Sequence, residues 1–189
     1  MRDKIKDIIL ESIHVKEDIM REKIPEILEI ADAFVQCLKK NGKIIFFGNG
    51  GSAADSQHLS AELVGRFKKD RGALAALSLT TNTSTITSLG NDYGYEIIFA
   101  KQIEGLGNKN DLAIGISTSG KAKNVIAGIK QAKKMGIKTI ALTGADGGEL
   151  AKLADISFIV PSSVTARIQE AHITVGHIIC ELVESELSN

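Results

Sequence analysis

The fold is decided where a short apolar run passes through a glycine loop into an amphipathic segment, at Ile44-Ile-Phe-Phe-Gly-Asn-Gly-Gly-Ser-Ala53. Consecutive apolar residues without a period of two predict a strand that is buried on both faces. Glycines let the backbone turn tightly, and free N–H groups at the start of the next helix can bind an anion. We therefore predict a strand, an anion-binding loop and a helix, in that order.

Other apolar runs continue the same pattern, separated by longer amphipathic segments. The predicted strands are Ile44–Phe47, Leu74–Leu79, Leu112–Ile116, Thr139–Leu142 and Ile156–Val160. The segments between them are long enough for the crossover helices that parallel strands require. The sequence thus predicts an α/β fold with a sheet of about five parallel strands flanked by helices.

Helical patterns lie on both sides of this region. Residues 4–40 have apolar side chains at helical spacing and a charged break at 21–25, which predicts an N-terminal helix pair. Residues 165–187 predict one long C-terminal helix. No linker interrupts the chain, so residues 1–189 are predicted to form a single domain. The N-terminal pair has much apolar surface, so it either covers the sheet or contacts a partner subunit.

Composition narrows the classes of function. The 189 residues include 23 Lys and Arg against 23 Asp and Glu, so no net positive charge favours nucleic acid or anionic lipid. Cys37 and Cys180 lie in apolar helical patterns outside any Cys-x-x-Cys pair, which indicates core residues in a reducing compartment. The charged N-terminus and the short apolar runs lead us to expect a cytoplasmic protein without a membrane span.

The first glycine loop also fits the loose dinucleotide-binding pattern G-x-G-x-x-A at Gly48–Ala53. That pattern requires an acidic residue at the end of the second strand, where it holds the ribose. The second predicted strand ends in Leu79-Thr-Thr-Asn82, without an acid. Dinucleotide binding is therefore disfavoured, although one glycine loop does not exclude it.

A second candidate loop, Ser117-Thr-Ser-Gly120, follows the third predicted strand. Its hydroxyls and the N–H groups of the next helix can hold phosphate oxygens. A helix N-cap needs only one hydroxyl, and this loop has three. Because parallel strands end at the same edge of a sheet, both loops lie where ligands bind in α/β folds. We predict a phosphate site there.

Two helices contain the candidates for metal binding or proton transfer. His58 and Glu62 are four residues apart, so they share a helix face and form either half a metal site or an acid/base pair. The C-terminal helix offers Gln169, Glu170, His172 and His177. Gln169 and His177 lie about 12 Å apart along an ideal helix, so they share one metal only if their side chains lean together or the helix bends. Spacing alone does not choose among these four.

Together these motifs resemble a known family over almost the whole chain. The matching strings are Phe47-Gly-Asn-Gly-Gly-Ser-Ala53, His58-x-x-x-Glu62-Leu-x-Gly-Arg66, Gly90-Asn-Asp-Tyr93, Ser117-Thr-Ser-Gly120, Leu142-Thr-Gly144 and Arg167-Ile-Gln-Glu-x-His-Ile-x-x-x-His177. The chain resembles the phosphoheptose isomerases of the sugar isomerase (SIS) domain superfamily. Both loops are common to many phosphosugar-binding domains, whereas the strings around His58 and His177 are specific to this branch.

The resemblance implies an isomerase that converts D-sedoheptulose 7-phosphate to D-glycero-D-manno-heptose 7-phosphate, early in ADP- or GDP-heptose biosynthesis. It implies a homotetramer of SIS domains with active sites near subunit interfaces. It also implies one zinc ion per subunit, bound by His58, Glu62, Gln169 and His177. The implied substrate-binding residues are Asn49, Gly50, Gly51, Ser52, Glu62, Arg66, Asn91, Asp92, Ser117, Thr118, Ser119 and Gln169.

Moving a carbonyl between C2 and C1 requires two proton-handling groups and stabilisation of an enediol or enediolate. We assign Glu62 as the base and His177 as the acid, with zinc polarising the substrate oxygens. Binding to zinc would lower the basicity of Glu62, so its two roles compete, and a carboxylate that exchanges between them is one resolution. The chain has Asn82, Ala122 and Ala166 where the family more often has Asp, Ser and Asp.

Two other classes stay open at this point. One is a non-catalytic SIS-domain binding protein, similar to a paralogue that associates with the replication initiator. A scaffold of that kind has no chemical reason to keep the four candidate metal ligands. The other is a sugar-phosphate-sensing regulator, which would normally include a DNA-binding segment, and the predicted elements leave no length for one.

Overall fold

A central parallel sheet organises the computed structural model, which describes residues 1–188. Its strands are β1 (Ile44–Gly48), β2 (Ala76–Ser78), β3 (Leu112–Ile116), β4 (Lys138–Gly144) and β5 (Ile156–Val160). The order across the sheet is β2-β1-β3-β4-β5, and every neighbouring pair is parallel. The predicted five-stranded parallel sheet is confirmed. Asn189, the last residue of the predicted domain, lies outside the described residues.

Helices flank the sheet on both faces. Those in the described part of the chain are α1 (Arg2–Glu22), α2 (Ile24–Lys39), α3 (Gly51–Val64), α4 (Thr83–Tyr93), α5 (Ile98–Leu106), α6 (Lys123–Lys134), α7 (Gly148–Leu153) and α8 (Thr165–Leu187), with a 3-10 turn at Tyr95–Ile97. The predicted N-terminal pair and long C-terminal helix correspond to α1, α2 and α8. Within residues 1–188, none of these helices combines the length and apolar character that a bilayer span requires.

The sheet is buried on both faces, which explains why its sequence lacks a period of two. Phe46 packs near Phe34 of α2, with ring centroids 6.0 Å apart. The next residue, Phe47, points to the opposite face and packs 5.3 Å from Phe99 of α5. Strands β1 and β3 are buried along their whole length. Only β2 is shorter than predicted, because its ladder with β1 extends only from Ala76 to Ser78.

The two N-terminal helices differ in what they cover. The sequence left open whether the pair covers the sheet or contacts a partner subunit. Helix α2 buries Ile30 and Phe34 against the sheet, whereas α1 buries only Val15 and Ile19. Much of the remaining apolar surface of α1 is exposed, and a groove of about 370 Å³ lies between α1, α2 and α8. Helix α2 therefore covers the sheet, and α1 leaves an apolar surface uncovered within this subunit.

A buried ion pair ties α8 to the loop that follows α3. The Glu184 carboxylate accepts hydrogen bonds from Arg71 Nε at 3.1 Å and from the backbone N–H groups of Phe67, Lys68 and Lys69 at 2.8 to 3.1 Å. Burial alone would raise the pKa of Glu184, but these donors outweigh it and hold the pKa below its ordinary value. The loop is thereby fixed to α8.

Arg71 extends this connection to the end of α3. Its guanidinium donates to the backbone carbonyl groups of Leu63 and Gly65 at 2.9 and 3.0 Å, and to that of Glu62 at 3.0 Å. The last carbonyl groups of a helix have no partner within it, so the guanidinium caps α3. One ion pair thus holds together the two helices that contain the candidate metal ligands.

We predict that Glu184→Gln lowers the free energy of unfolding by about 3 kcal/mol, because it leaves the buried charge of Arg71 without its partner. Glu186→Gln is the matched control, since it breaks an exposed pair with Lys39 and should cost less than about 1 kcal/mol. Urea unfolding at neutral pH measures both. Equal losses would contradict the role given to Glu184. The pKa of Glu184 is depressed in the folded state. Its contribution to the free energy of unfolding is therefore present above about pH 4.5 and is lost as the pH falls through the folded-state pKa.

Candidate active site

Three potential metal ligands converge between α3 and α8. His58 Nε2 lies 2.8 Å from His177 Nε2 and 3.2 Å from Glu62 Oε1. One ligand atom from each of the three residues lies within 4.8 Å of the others. The spacing of four residues on α3 places His58 and Glu62 on one face, as predicted, and α8 brings His177 to them. Sequence positions more than a hundred residues apart thus form one cluster.

Close helix packing makes this convergence possible. A Cβ atom on Gly176 would lie 2.5 Å from Leu59 Cδ2, so the absence of a side chain at Gly176 lets α8 approach α3 closely. Leu59 follows His58 and Gly176 precedes His177, so this close contact lies beside the two imidazoles. The Phe67 ring also packs against His177, with centroids 5.5 Å apart.

The donor set fits a metal ion. Two imidazole nitrogens face each other at 2.8 Å, which is possible only when they share a proton or a cation. Two nitrogens and a carboxylate oxygen are ligands that zinc prefers. One turn before His58, Asp55 has a buried Oδ2 without a hydrogen-bond partner among the described residues. Burial raises the pKa of Asp55 to about 6, against the opposing effect of His58. Its negative charge at neutral pH favours a cation nearby.

Gln169, the remaining predicted ligand, lies against the first glycine loop. A Cβ atom on Gly51 would lie 2.8 Å from Gln169 Cδ, and closer still to its amide nitrogen. Gly51 does not have a positive φ, so a side chain there is opposed by the Gln169 amide, which would have to move to admit it. Gln169 therefore lies at the start of α3, next to the loop predicted to bind an anion.

The other two candidates on α8 have structural partners. His172 is buried and places Nε2 2.9 Å from the Thr143 carbonyl oxygen, and burial lowers its pKa to about 4. Glu170 accepts hydrogen bonds from Arg167 at 2.6 Å and from Ser12 at 2.7 Å. Both side chains therefore hold α8 in place. Their role is structural, unlike the metal-binding role predicted for Gln169 and His177.

The first loop presents its backbone at the start of α3. Gly50 has a φ of 57° and precedes the helix, a conformation that L side chains rarely adopt. Asn49 and Gly51 flank it, and their N–H groups lie before the first full turn, where helical partners are lacking. Ser52 is buried, with Gly48 so near that a Cβ atom there would lie 2.7 Å from Ser52 Cβ.

The second loop is a separate structure rather than a simple helix cap. Helix α6 begins at Lys123, after Ala122, whereas Ser119 Oγ accepts a hydrogen bond from the Lys121 N–H at 3.2 Å. Ser117 is buried, Thr118 half-buried and Ser119 exposed. Gly120 has a φ of 62°, and a Cβ atom there would lie 2.5 Å from the Gly147 carbonyl carbon. The loop is thereby fixed against the loop that follows β4.

Three further predicted site residues lie away from these contacts. Asn91 and Asp92 are exposed at the end of α4 and hydrogen-bond to each other, with Asn91 Nδ2 2.8 Å from Asp92 Oδ1. Helix α4 has no buried residue. Arg66 is exposed in the loop after α3. These three side chains are therefore available to a substrate or to another subunit.

Comparison with known proteins agrees with this geometry. A model of the SIS domain family matches residues 9–144. A phosphoheptose isomerase of Aquifex aeolicus is 53% identical over 184 residues, which cover 97% of this chain and 96% of that protein. The chain belongs to the phosphoheptose isomerase family of SIS domain proteins. The resemblance inferred from the motifs is thus confirmed.

Solved structures of phosphoheptose isomerases have the same fold. The structure from Neisseria gonorrhoeae is 42% identical, with a TM-score of 0.92, and the match covers 97% of this chain and 98% of that one. The structure from Francisella tularensis is 38% identical, with a TM-score of 0.94 and 97% coverage of both chains. The fold predicted for this phosphoheptose isomerase family member is therefore confirmed.

Three residues depart from the phosphoheptose isomerase pattern, and the structure shows what surrounds each of them. Asn82 caps α4 by accepting a hydrogen bond from the Thr85 N–H at 3.0 Å, a task that Asp performs equally well. Ala122 precedes α6 and supplies no side-chain cap. Ala166 is exposed in the first turn of α8. None of the three contacts the His58, Glu62 and His177 cluster.

Sequence analysis missed two side chains beside the first loop. Asn124 of α6 forms a reciprocal amide pair with Asn49, with both N···O distances 2.8 Å. The Tyr95 hydroxyl donates to Asn49 Oδ1 at 3.1 Å. Neither residue belongs to a motif that identifies phosphoheptose isomerases, and the contacts join segments far apart in the chain. Only the position of Asn124, shortly after the serine loop, could have suggested a role.

Proposed function

We propose that this chain is an isomerase that converts D-sedoheptulose 7-phosphate to D-glycero-D-manno-heptose 7-phosphate through an enediol or enediolate, early in heptose biosynthesis. The observation that carries the proposal is the convergence of His58, Glu62 and His177 between α8 and α3, the helix that begins at the first glycine loop. Relatives of about 50% identity are named phosphoheptose isomerases, which supports the same activity here. A non-catalytic scaffold would not need such a cluster.

The phosphate of the substrate binds, in this proposal, to the Ser117–Ser119 loop. Ser119 is exposed, and the N-terminus of α6 lies just beyond, with the positive end of its dipole toward the loop. The sugar then extends toward Asn49, Gly50 and Gly51, with Ser52 behind them. Arg66, Asn91 and Asp92 complete the proposed set of contacts at the exposed side.

Glu62 and His177 move the protons. The Glu62 carboxylate takes the proton from C1 while His177 donates a proton to O2, which converts the ketose into an enediol. Glu62 then returns its proton to C2, and His177 takes the proton from O1, which leaves the aldehyde of the product. Each group thus ends in its starting state, and no other reactant is needed.

We propose zinc as the resident metal, one per subunit, bound by His58, Glu62, Gln169 and His177. When bound, it supplies a Lewis acid for the sugar oxygens and stabilises negative charge that develops on them. Glu62 and His177 then each have two roles that compete, because a carboxylate bound to a cation is a weaker base and an imidazole nitrogen bound to a cation has no proton to donate. Side chains that alternate between the metal and the substrate would meet both needs.

We propose that each subunit is a single SIS domain and that four subunits assemble into a homotetramer. The exposed apolar side chains of α1 and the groove between α1, α2 and α8 support a subunit contact on this face. Leu28, on the wall of the groove, is 51% exposed in the single chain. The exposed end of α4, with Asn91 and Asp92, is suited to complete a neighbouring site.

Glu62→Gln tests the base. We expect at least ~100-fold lower turnover, since the amide cannot accept the proton, while the fold and the binding of inorganic phosphate are retained. Glu181→Gln is the control, because it removes an exposed carboxylate on α8 that pairs with Lys68. Aldose formation from sedoheptulose 7-phosphate is the assay. Turnover within threefold of the parent chain in Glu62→Gln would rule out this assignment.

Gly51→Ala tests Gln169 as a ligand. The added methyl group occupies the place of the Gln169 amide, so we expect zinc affinity to fall by at least about 10-fold. Gly105→Ala is the control, because a Cβ atom there meets nothing within 4 Å and the helix tolerates alanine. Competition with a zinc chelator measures the affinity. Equal affinity in the two variants would exclude Gln169 from the metal site.

Leu28→Glu tests the apolar face. A carboxylate inside a subunit contact has no partner, so we expect the tetramer to dissociate to smaller species. Lys130→Glu, on the exposed side of α6, introduces a carboxylate away from this face, with a charge change of two because it also removes the lysine that pairs with Glu149. Light scattering coupled to size exclusion gives both masses. A tetramer that persists in Leu28→Glu would place the contact elsewhere.

A further inference from the structure

The Asn49 amide, beside the proposed substrate site, is held by side chains from two other segments. It forms two hydrogen bonds of 2.8 Å with Asn124, and its Oδ1 also accepts the Tyr95 hydroxyl at 3.1 Å. Asn124 lies in the first turn of α6 and is only 3% exposed. The network joins the loop after β1, the start of α6 and the 3-10 turn after α4.

The direction of every bond in this network follows from one backbone group. The Val125 N–H can only donate, and its partner at 3.0 Å is Asn124 Oδ1. Asn124 Nδ2 must therefore donate to Asn49 Oδ1, and Asn49 Nδ2 must donate to Asn124 Oδ1. Asn49 Oδ1 is then occupied by two donors, Asn124 Nδ2 and the Tyr95 hydroxyl.

Within residues 1–188, this leaves Asn49 with one polar hydrogen that has no partner. Its Nδ2 has two hydrogens, and Asn124 takes only one of them. If the Asn49 amide flipped, its Oδ1 would face Asn124 Oδ1, so the amide keeps its orientation. The second hydrogen of Nδ2 can therefore bond only to an acceptor. Asn49 therefore offers a donor of fixed direction, suited to a hydroxyl or carbonyl oxygen of a sugar.

We propose that Asn124 and Tyr95 are positioning residues that hold the Asn49 amide so that its free N–H donates to the sugar. The inference rests on the proposed function, because it assumes a sugar phosphate beside the first loop. Neither residue touches the substrate or the metal ligands in this scheme. Their effect is therefore on the interaction with substrate, not on metal content.

Asn124→Asp is the decisive change. The carboxylate keeps the acceptor for Val125 and Asn49 Nδ2 but replaces the donor that faces Asn49 Oδ1, so the Asn49 amide must move. We expect kcat/KM for sedoheptulose 7-phosphate to fall by about 10- to 100-fold, as a misplaced binding group causes, with unchanged zinc content. Gln102→Ala is the control, because Gln102 is a buried amide with two hydrogen bonds in α5. It should lower thermal stability and leave kcat/KM within about twofold of the parent chain.

A second readout is independent of turnover. In spectra of protein labelled with ¹⁵N-asparagine, the Asn49 side-chain hydrogen that donates to Asn124 should exchange slowly with water in the parent chain and faster in Asn124→Asp, and this hydrogen is the one compared below. If the parent chain does not convert sedoheptulose 7-phosphate but its Asn49 side chain exchanges slowly, the proposed function is refuted and the hydrogen bonds of Asn49 are retained. Fast exchange in the parent chain would refute the network itself. A loss of kcat/KM no greater than that of Gln102→Ala would overturn the positioning role.

Tyr95→Phe keeps the proposal testable if Asn124→Asp does not fold. Tyr95 is exposed, so loss of its hydroxyl should leave thermal stability unchanged. Asn49 loses one of its two fixed donors, and we expect kcat/KM to fall about threefold, which is the scale of one neutral hydrogen bond. Unchanged kcat/KM in this variant would contradict the proposal.

Discussion

The close contact between Leu59 and Gly176 is the constraint on which the site depends. A side chain at Gly176 would press on Leu59, so that Leu59 or one of the two helices would have to shift, and the two imidazoles that lie 2.8 Å apart are directly beside this contact. The buried pair of Arg71 and Glu184 fixes the same two helices farther along. The packing of α3 on α8 therefore sets the distances between the candidate catalytic side chains.

The loops at the sheet edge are set by the same kind of constraint. Gly120 approaches the Gly147 carbonyl so closely that a side chain would not fit, and Gly51 leaves room for the Gln169 amide. At Gly120 the neighbouring group is backbone, which cannot turn aside, whereas at Gly51 it is a side-chain amide, which would have to move to admit a methyl group. Both loops are therefore packed against other parts of the fold.

The sequence predicts what depends on local pattern and burial. The buried runs identified all five strands, and only β2 is shorter, since its ladder with β1 covers three residues. The spacing of His58 and Glu62 placed them on one face. Spacing could not show which polar residues of α8 are the candidate metal ligands. The contacts that give His172 and Glu170 a structural role are tertiary contacts, which a local pattern does not predict. Asn124 and Tyr95 were missed for the same reason, since their partner Asn49 is distant in the chain.

Gln169 joins the two halves of the proposed site. Its amide lies against Gly51, at the loop that would receive the sugar, while the proposal also gives it to the metal. A side chain shared in this way couples substrate and metal binding, because any movement of one shifts the other.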